Sequence, residues 1–317
     1  MSILIIAKSG DATVNQVIDW LSHFHATYTR VDAKEFLQKI QLSRVVVDTD
    51  EFEDKNSCFN SIWFRNAPIY QQVEHEAQSL LSSIKNNVNF EYFSIYLATL
   101  NGVNQFFQLS RYDAAFLNKF YVISAAQRLG IKVPRSIITN SKKDLKKFNQ
   151  LSPSLISKAL GENIAFSQGG NHYAQYTKAI DREFIDALPD FFLPTFFQQK
   201  LEKEFDVRIF FIEEDWYSIA IFSDSLDMKE DYPNHRYTPI KLPDEILGNL
   251  KNLMQALNLN TGSIDLVKEK GTSDFYFLEV NPNGQIGPFS KSCNIQLEKL
   301  IASKLMYHDK ERKGRNQ

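Results

Sequence analysis

The sequence predicts a chain of mixed α/β and α+β class: an N-terminal αβ unit on a parallel, open sheet, followed by segments dominated by antiparallel strands. Three observations carry this. The apolar run Ile3–Ala7 is followed by Val14, Val17, Ile18 and Leu21 at helical spacing, and then by further strand-like runs, a β-α-β order. From Thr195 the strand-like runs succeed one another without helices: Thr195–Leu201, Asp206–Ile212 and Trp216–Phe222. Finally, Ser263–Val267 and Phe275–Val280 flank a polar turn holding Gly271 and read as a β-hairpin.

In order, Asp11 is a candidate N-cap for the first helix. Strand-like runs follow at Tyr28–Asp32, Arg44–Asp48 and Ser61–Phe64, with a short helix near Lys34–Ile40 and a long helical stretch from Tyr70 to about Leu100. A first domain is placed at 1–112. The central unit, 113–195, opens with a helix over Asp113–Leu129 ended by Gly130, then an extended run Ser136–Thr139 and a charged helix near Lys142–Phe148. The strand Ser154–Ala159, a loop over Gly161–Asn171 and a strand His172–Lys178 complete it. Backbone amides at Gly161, Gly169 and Gly170 could approach an anion, or the segment is a surface hairpin. The last unit, 196–317, adds a strand at Tyr237–Lys241, a helix opened by Pro243 as its first residue, the hairpin, and a helix Asn294–Leu305 with Leu297, Leu300, Ile301 and Leu305 inward.

The composition excludes several classes of function. With 36 Lys plus Arg against 38 Asp plus Glu in 317 residues, no net charge favours nucleic acid or an anionic membrane. No apolar run approaches a membrane span or a signal h-region. Two distant cysteines, Cys58 and Cys293, have no metal-ligand spacing and suggest reduced thiols in the cytoplasm.

The hairpin holds the densest candidate chemistry. Alternation puts Phe275, Phe277, Glu279 and Asn281 on one face, and a turn near Gly271–Thr272 sets Asp265 opposite or diagonal to Glu279. Two converging carboxylates and an amide oxygen, with no His or Cys, favour a hard ion such as Mg²⁺; alternatively the polar face simply meets water. Lys158, inside the apolar run SLISKAL, calls for an anion, either a ligand phosphate or a neighbouring carboxylate. Arg208 in EFDVRIFF poses the same question, with Asp206 two residues earlier as an internal partner. Arg236 is a further anion contact or a solvated side chain. His235 and His172 lack metal spacing and receive no role.

Taken together, SIWFRN (61–66), NKFYVISAAQRLGIKVPRSIITN (118–140), YTK (176–178), FQQKLEKEFDVRIFFI (197–212), RYTPIKLPDEI (236–246) and GSIDLV…YFLEVNPNGQ (262–285) resemble the ATP-grasp superfamily. Within it they are most similar to the microviridin-type peptide ligases, the graspetide synthetases. The resemblance covers about Asn118 to Leu305 and implies a two-lobed grasp with antiparallel sheets, the first domain corresponding to the αβ pre-grasp domain of those enzymes. It implies ATP and Mg²⁺ as cofactors. Lys158 matches the phosphate-binding lysine and Lys119 a basic residue near the nucleotide. Gln198, Gln199, Lys200 and Leu201 match the linker whose backbone reads adenine, and Glu202 a ribose contact. Asp265, Glu279 and Asn281 match the Mg²⁺ ligands, and Arg208 and Arg236 match arginines near the transferred phosphate and the substrate carboxylate. Relatives often carry an acid where Gln199 stands, and an Asp and an aromatic where Asn234 and His235 stand.

The activity implied is ATP-dependent macrocyclisation of a ribosomal precursor peptide. An Asp or Glu side chain is phosphorylated and then attacked by Thr or Ser to give an ester, or by Lys to give an amide. The implied partner is a precursor with a leader and a Thr/Ser/Asp/Glu-rich core, with no nucleic acid or membrane; a homodimer is compatible. Two alternatives stand beside it: an ATP-grasp carboxylate–amine ligase for small amino acids or a protein tail, and a catalytically idle ATP- or peptide-binding scaffold.

Overall fold

A computed structural model describes residues 2–32, 59–65, 107–111, 117–160, 165–169, 171–174, 176–223 and 235–315, together with 84, 87–91, 94 and 114. The expected strand Arg44–Asp48, the short helix near Lys34–Ile40 and most of the helical stretch over 70–100 lie outside these residues; Ile84, 87–91 and Ser94 of that stretch are helical. The chain divides into two compact units. Unit 1 comprises Met1–Ala115, Leu259–Thr261 and Pro282–Gln317, and unit 2 comprises Phe116–Asn258 and Gly262–Asn281.

Unit 1 is built on a parallel sheet of β1 (Ser2–Ala7), β2 (Tyr28–Val31), β3 (Phe59–Arg65) and β4 (Phe107–Leu109) in the order β2-β1-β3-β4. Ile3 through Ala7 are all buried, as an inner parallel strand covered on both faces requires. Helix α1 (Ala12–His23) starts where Asp11 accepts a hydrogen bond from the Val14 N–H at 3.0 Å.

The C-terminal segment Pro282–Gln317 falls in this unit. The expected helix Asn294–Leu305 is α7 (Leu297–Arg315), and an unexpected helix, α6 (Gly287–Cys293), precedes it and ends at Asn294, whose φ of 52° is left-handed. Leu297, Ile301 and Leu305 are buried as α7 packs on α1 and β3, while Leu300 is half-buried. A helix finds its partner by its apolar stripe, and chain distance costs little once the loop is long.

Unit 2 begins with α2 (Lys119–Arg128), much shorter than the expected Asp113–Leu129 because Asn118 caps it, accepting from the Phe120 and Tyr121 N–H groups. Gly130 (φ 74°) terminates it. An antiparallel sheet follows in the order β5-β10-β6-β9: β5 (Ser136–Ser141), β6 (Leu155–Ser157), β9 (Lys178–Ile180) and β10 (Phe191–Gln199). Helices α3 (Lys142–Leu151) and α4 (Arg182–Ala187) cover it, with Leu145, Leu155, Ile180, Ile185 and Phe197 as its core. Between β6 and β9, β7 (Ala165–Gln168), inside the expected loop, and β8 (Asn171–Ala174), over the start of the expected strand His172–Lys178, form a hairpin that turns at Gly169 (φ 60°). Gly161 and Gly170 lie outside the described residues.

The second sheet of unit 2 has the order β13-β12-β11-β14-β15: β11 (Lys203–Ile212), β12 (Asp215–Phe222), β13 (Arg236–Ile240), β14 (Thr261–Glu269) and β15 (Phe275–Asn281). Helix α5 (Asp244–Ala256) follows Pro243, which occupies the N-cap position and not the first helical one. Among the described residues no helix is long and apolar enough to cross a membrane.

Candidate active site

The five-stranded sheet gathers the charged residues by alternation. In β14 and β15, Asp265 pairs directly with Glu279 and Ser263 with Asn281. The register shifts by one residue between Asp265 and Leu266. Phe277, expected on the face of Glu279, therefore pairs with Leu266 and is fully buried.

Each carboxylate has its own cation. Arg208 Nε lies 2.6 Å from Asp265 Oδ1, and its Nη1–H donates to Ser263 Oγ at 3.1 Å. Lys119, in the first turn of α2, places Nζ 3.1 Å from Glu279 Oε2; α2 packs directly on β15. The Asn281 amide donates to Glu279 Oε1 at 3.1 Å and to Asp265 Oδ2 at 3.4 Å. These contacts replace the internal Asp206–Arg208 pair that the spacing allowed. Asp206, buried two residues before Arg208, accepts instead from Lys203 Nζ at 2.7 Å.

The charges respond to this setting. Burial pushes the Asp265 carboxyl up; Arg208 pulls it back and Glu279 raises it further, leaving it at about 6. Burial also acts to raise Glu279, but Lys119 and Lys158, with hydrogen bonds from Asn281 and Lys119, bring it down to about 2. Asp206 is raised by burial, against Lys203, Arg208 and His235.

Lys158 does not sit inside a strand. The strand ends at Ser157, and Lys158 is half-buried just beyond it, close enough to act on both Asp265 and Glu279. Gln198 is buried, and its amide donates to Ser136 Oγ at 3.0 Å. The Gln199 carboxamide accepts from the Arg135 N–H at 3.4 Å. In the linker, the N–H groups of Gln199 and Lys200 are taken by Arg135 O and Ser154 O, and the Glu202 carbonyl accepts from Lys270. Lys200 and Glu202 are exposed and Leu201 is half-buried.

Arg236 is not brought to this cluster. Asp206 pairs with Ile221 and Ile221 with Tyr237, so these three share a face with Arg208. Arg236, one residue before Tyr237 and paired with Phe222, lies on the other face, its guanidinium 4.7 Å over the Phe222 ring. His235 is on the carboxylate side instead: its ring is within 3.4 Å of the Tyr237 hydroxyl and its charge reaches Asp206. Sequence reasoning missed His235, Lys203 and Ser263. Ser263 alone left a signal, its i, i+2 spacing from Asp265.

The residues present fit a hard divalent cation. Every donor is oxygen, the acids meet in register, and Asp265 Oδ1 is buried without a hydrogen bond, because Arg208 Nε approaches it off the N–H axis. A half-turn of the Asn281 carboxamide would present its oxygen to the same point. Among the described residues no group of three His, Cys, Asp or Glu side chains could hold a metal. This site has two acids and an amide, and phosphate oxygens and water would have to complete it.

The fold is one shared with solved ATP-grasp ligases. The chain is similar to a RiPP-associated ATP-grasp ligase of Chryseobacterium gregarium, solved with ADP and a leader and core peptide. The identity is 21% over 96% of this chain and 97% of that one, with a TM-score of 0.80. It is also similar to macrocyclase MdnC of Microcystis aeruginosa MRC, solved with precursor peptide MdnA, at 21% identity over 96% and 99% of the two chains and a TM-score of 0.75. The ATP-grasp ligase PsnB, solved with a minimal precursor, Mg and ADP, aligns at 18% identity over 97% of each chain, with a TM-score of 0.74. No protein-family model and no curated protein matches the chain.

Proposed function

We propose that this chain is an ATP-dependent peptide macrocyclase. The observation that carries the reading is the in-register pair Asp265–Glu279, with Asn281, Lys119, Lys158 and Arg208 around it, in a chain matched end to end by ligases solved with ADP and precursor peptides.

ATP would be held with its polyphosphate towards Lys119 and Lys158. The base would meet the linker after β10, where the Gln199 and Lys200 N–H groups are already engaged by Arg135 O and Ser154 O. Asp265, Glu279 and Asn281 would hold Mg²⁺, which supplies neutralisation of phosphate charge. Arg208, fixed by Ser263 and Asp265, would orient an Asp or Glu side chain of the peptide. A carboxylate oxygen attacks the γ-phosphorus and ADP leaves. A Thr or Ser hydroxyl, or a Lys amine, of the same peptide then attacks the acyl carbon. Inorganic phosphate leaves, the nucleophile's proton is released, and an ester or amide ring closes. The natural substrate is a leader-bearing precursor with a core rich in Thr, Ser, Asp and Glu, met in the cytoplasm. The fully assembled acid and cation set counts against an idle scaffold.

The test is incubation with ATP and a precursor peptide of this composition, followed by mass spectrometry. Loss of one water per ring, stoichiometric with ADP, is expected, and core without leader should react poorly. ATP turnover driven by free amino acids, with the peptide unchanged, would assign the chain to the small-substrate ligases instead.

A further inference from the structure

The two acids that would hold the divalent cation are already neutralised by protein. Lys119 Nζ stands against Glu279 and Arg208 Nε against Asp265, with Lys158 acting on both. A bare divalent cation entering here would meet three positive side chains around two negative ones, so repulsion and the loss of two ion pairs both oppose it. A nucleotide changes the balance, because its phosphates offer the displaced cations a new anion.

Lys119 and Arg208 are not equally free to move. Arg208 has a second anchor in Ser263, and its side chain is 13% exposed. Lys119 reaches Glu279 by a flexible stem from the N-terminal end of α2, and its side chain is 24% exposed.

We infer that Lys119 is a placeholder cation: it occupies Glu279 while the nucleotide site is empty, and leaves for the phosphates when ATP arrives. Metal and nucleotide are thereby made to load together. The inference rests on the metal assignment made above and adds an order of loading to it. Lys119 acts on the metal through Glu279 and is a positioning residue in this role.

The experiment measures Mn²⁺ binding by electron paramagnetic resonance, with and without a non-hydrolysable ATP analogue. Wild-type protein should bind Mn²⁺ weakly alone and at least about tenfold more tightly with nucleotide, the scale expected from one unit charge beside the ion. Lys119→Met should bind Mn²⁺ about tenfold or more tightly than wild type without nucleotide, bind the analogue more weakly, and show reduced coupling. Glu279→Gln in the Lys119→Met background should abolish the gain, which places the ion at this site. Equal Mn²⁺ affinity of nucleotide-free wild type and Lys119→Met, or tight binding by wild type alone, would overturn the placeholder role and leave the metal site standing. Failure of wild-type protein with nucleotide to bind Mn²⁺ would overturn the metal site and this inference with it. Wild-type coupling is measurable even if Lys119→Met does not fold.

Discussion

The two faces of the five-stranded sheet in unit 2 come from the same strands, yet they hold different chemistry. One face carries Asp206, Arg208, Ser263, Asp265, Glu279 and Asn281, cross-linked by ion pairs and hydrogen bonds. The other carries Phe205 and Phe222, their rings 5.2 Å apart, with the exposed guanidinium of Arg236 over Phe222. The contrast between Arg208 and Arg236 is instructive because both are arginines on strands of one sheet. Arg208 is fixed against a buried carboxylate, where low dielectric makes its charge count. Arg236 lies on an aromatic at the surface, a contact worth roughly 0.5–1 kcal/mol. Membership of the site is decided by strand parity, and one residue along a strand is enough to lose it.

Glu279→Gln should break the active face most severely. Removing a carboxylate from the proposed divalent-cation site is expected to lower ATP turnover on the order of 10³-fold. Circular dichroism and the melting transition should remain close to wild type. Near-normal turnover in the folded variant would remove the metal assignment.

Arg208→Ala should follow, with ring formation reduced about 10²-fold or more, because the fixed charge proposed to orient the peptide carboxylate is lost. Leader binding, measured by fluorescence anisotropy, should be nearly unchanged. A parallel loss of leader affinity would mean that Arg208 serves peptide docking.

A third effect is on stability. Asp265, raised to about 6, is above its unfolded value, so the folded state holds this proton more tightly. The stability it contributes is fully present below about pH 4 and is lost as pH rises through about 6. In nucleotide-free protein, Asp265→Asn should therefore gain on wild type as pH rises, by up to about 3 kcal/mol at pH 8. The melting-temperature difference across this range reads it, and a pH-independent difference would contradict the raised carboxyl. Mg²⁺–nucleotide affinity should weaken in wild type as pH falls through the same window.

Arg236→Ala, on the opposite face, should be the mildest change, within about threefold of wild type in ring formation and within about 1 kcal/mol in stability. Loss of ring closure comparable to that in Arg208→Ala would show that the two-face division does not describe the proposed site.

The hairpin is legible in the sequence because its information is local. Period-2 alternation and a Gly-containing turn bring Asp265 opposite or diagonal to Glu279; the structure shows them opposite, beside a register shift that the alternation does not announce. The β-α-β opening is legible for the same reason, each apolar run announcing its own element. What sequence alone leaves open involves partners distant in the chain. Arg208 could choose between Asp206, two residues away, and Asp265, on a different strand; the order β11-β14-β15 decides for Asp265. Lys119 and Glu279 are 160 residues apart, and only the packing of α2 on β15 makes them an ion pair. The sides taken by Arg236 and His235 depend on the register of β12 with β13, where a shift of one residue would exchange them. The 282–317 segment joins unit 1 because the apolar stripe of α7 fits α1 and β3, a complementarity of surfaces that no spacing along the chain encodes. Local patterns determine which elements form and which way their side chains point. Which charges meet is settled by burial and sheet order, through contacts that exist only once the chain has folded.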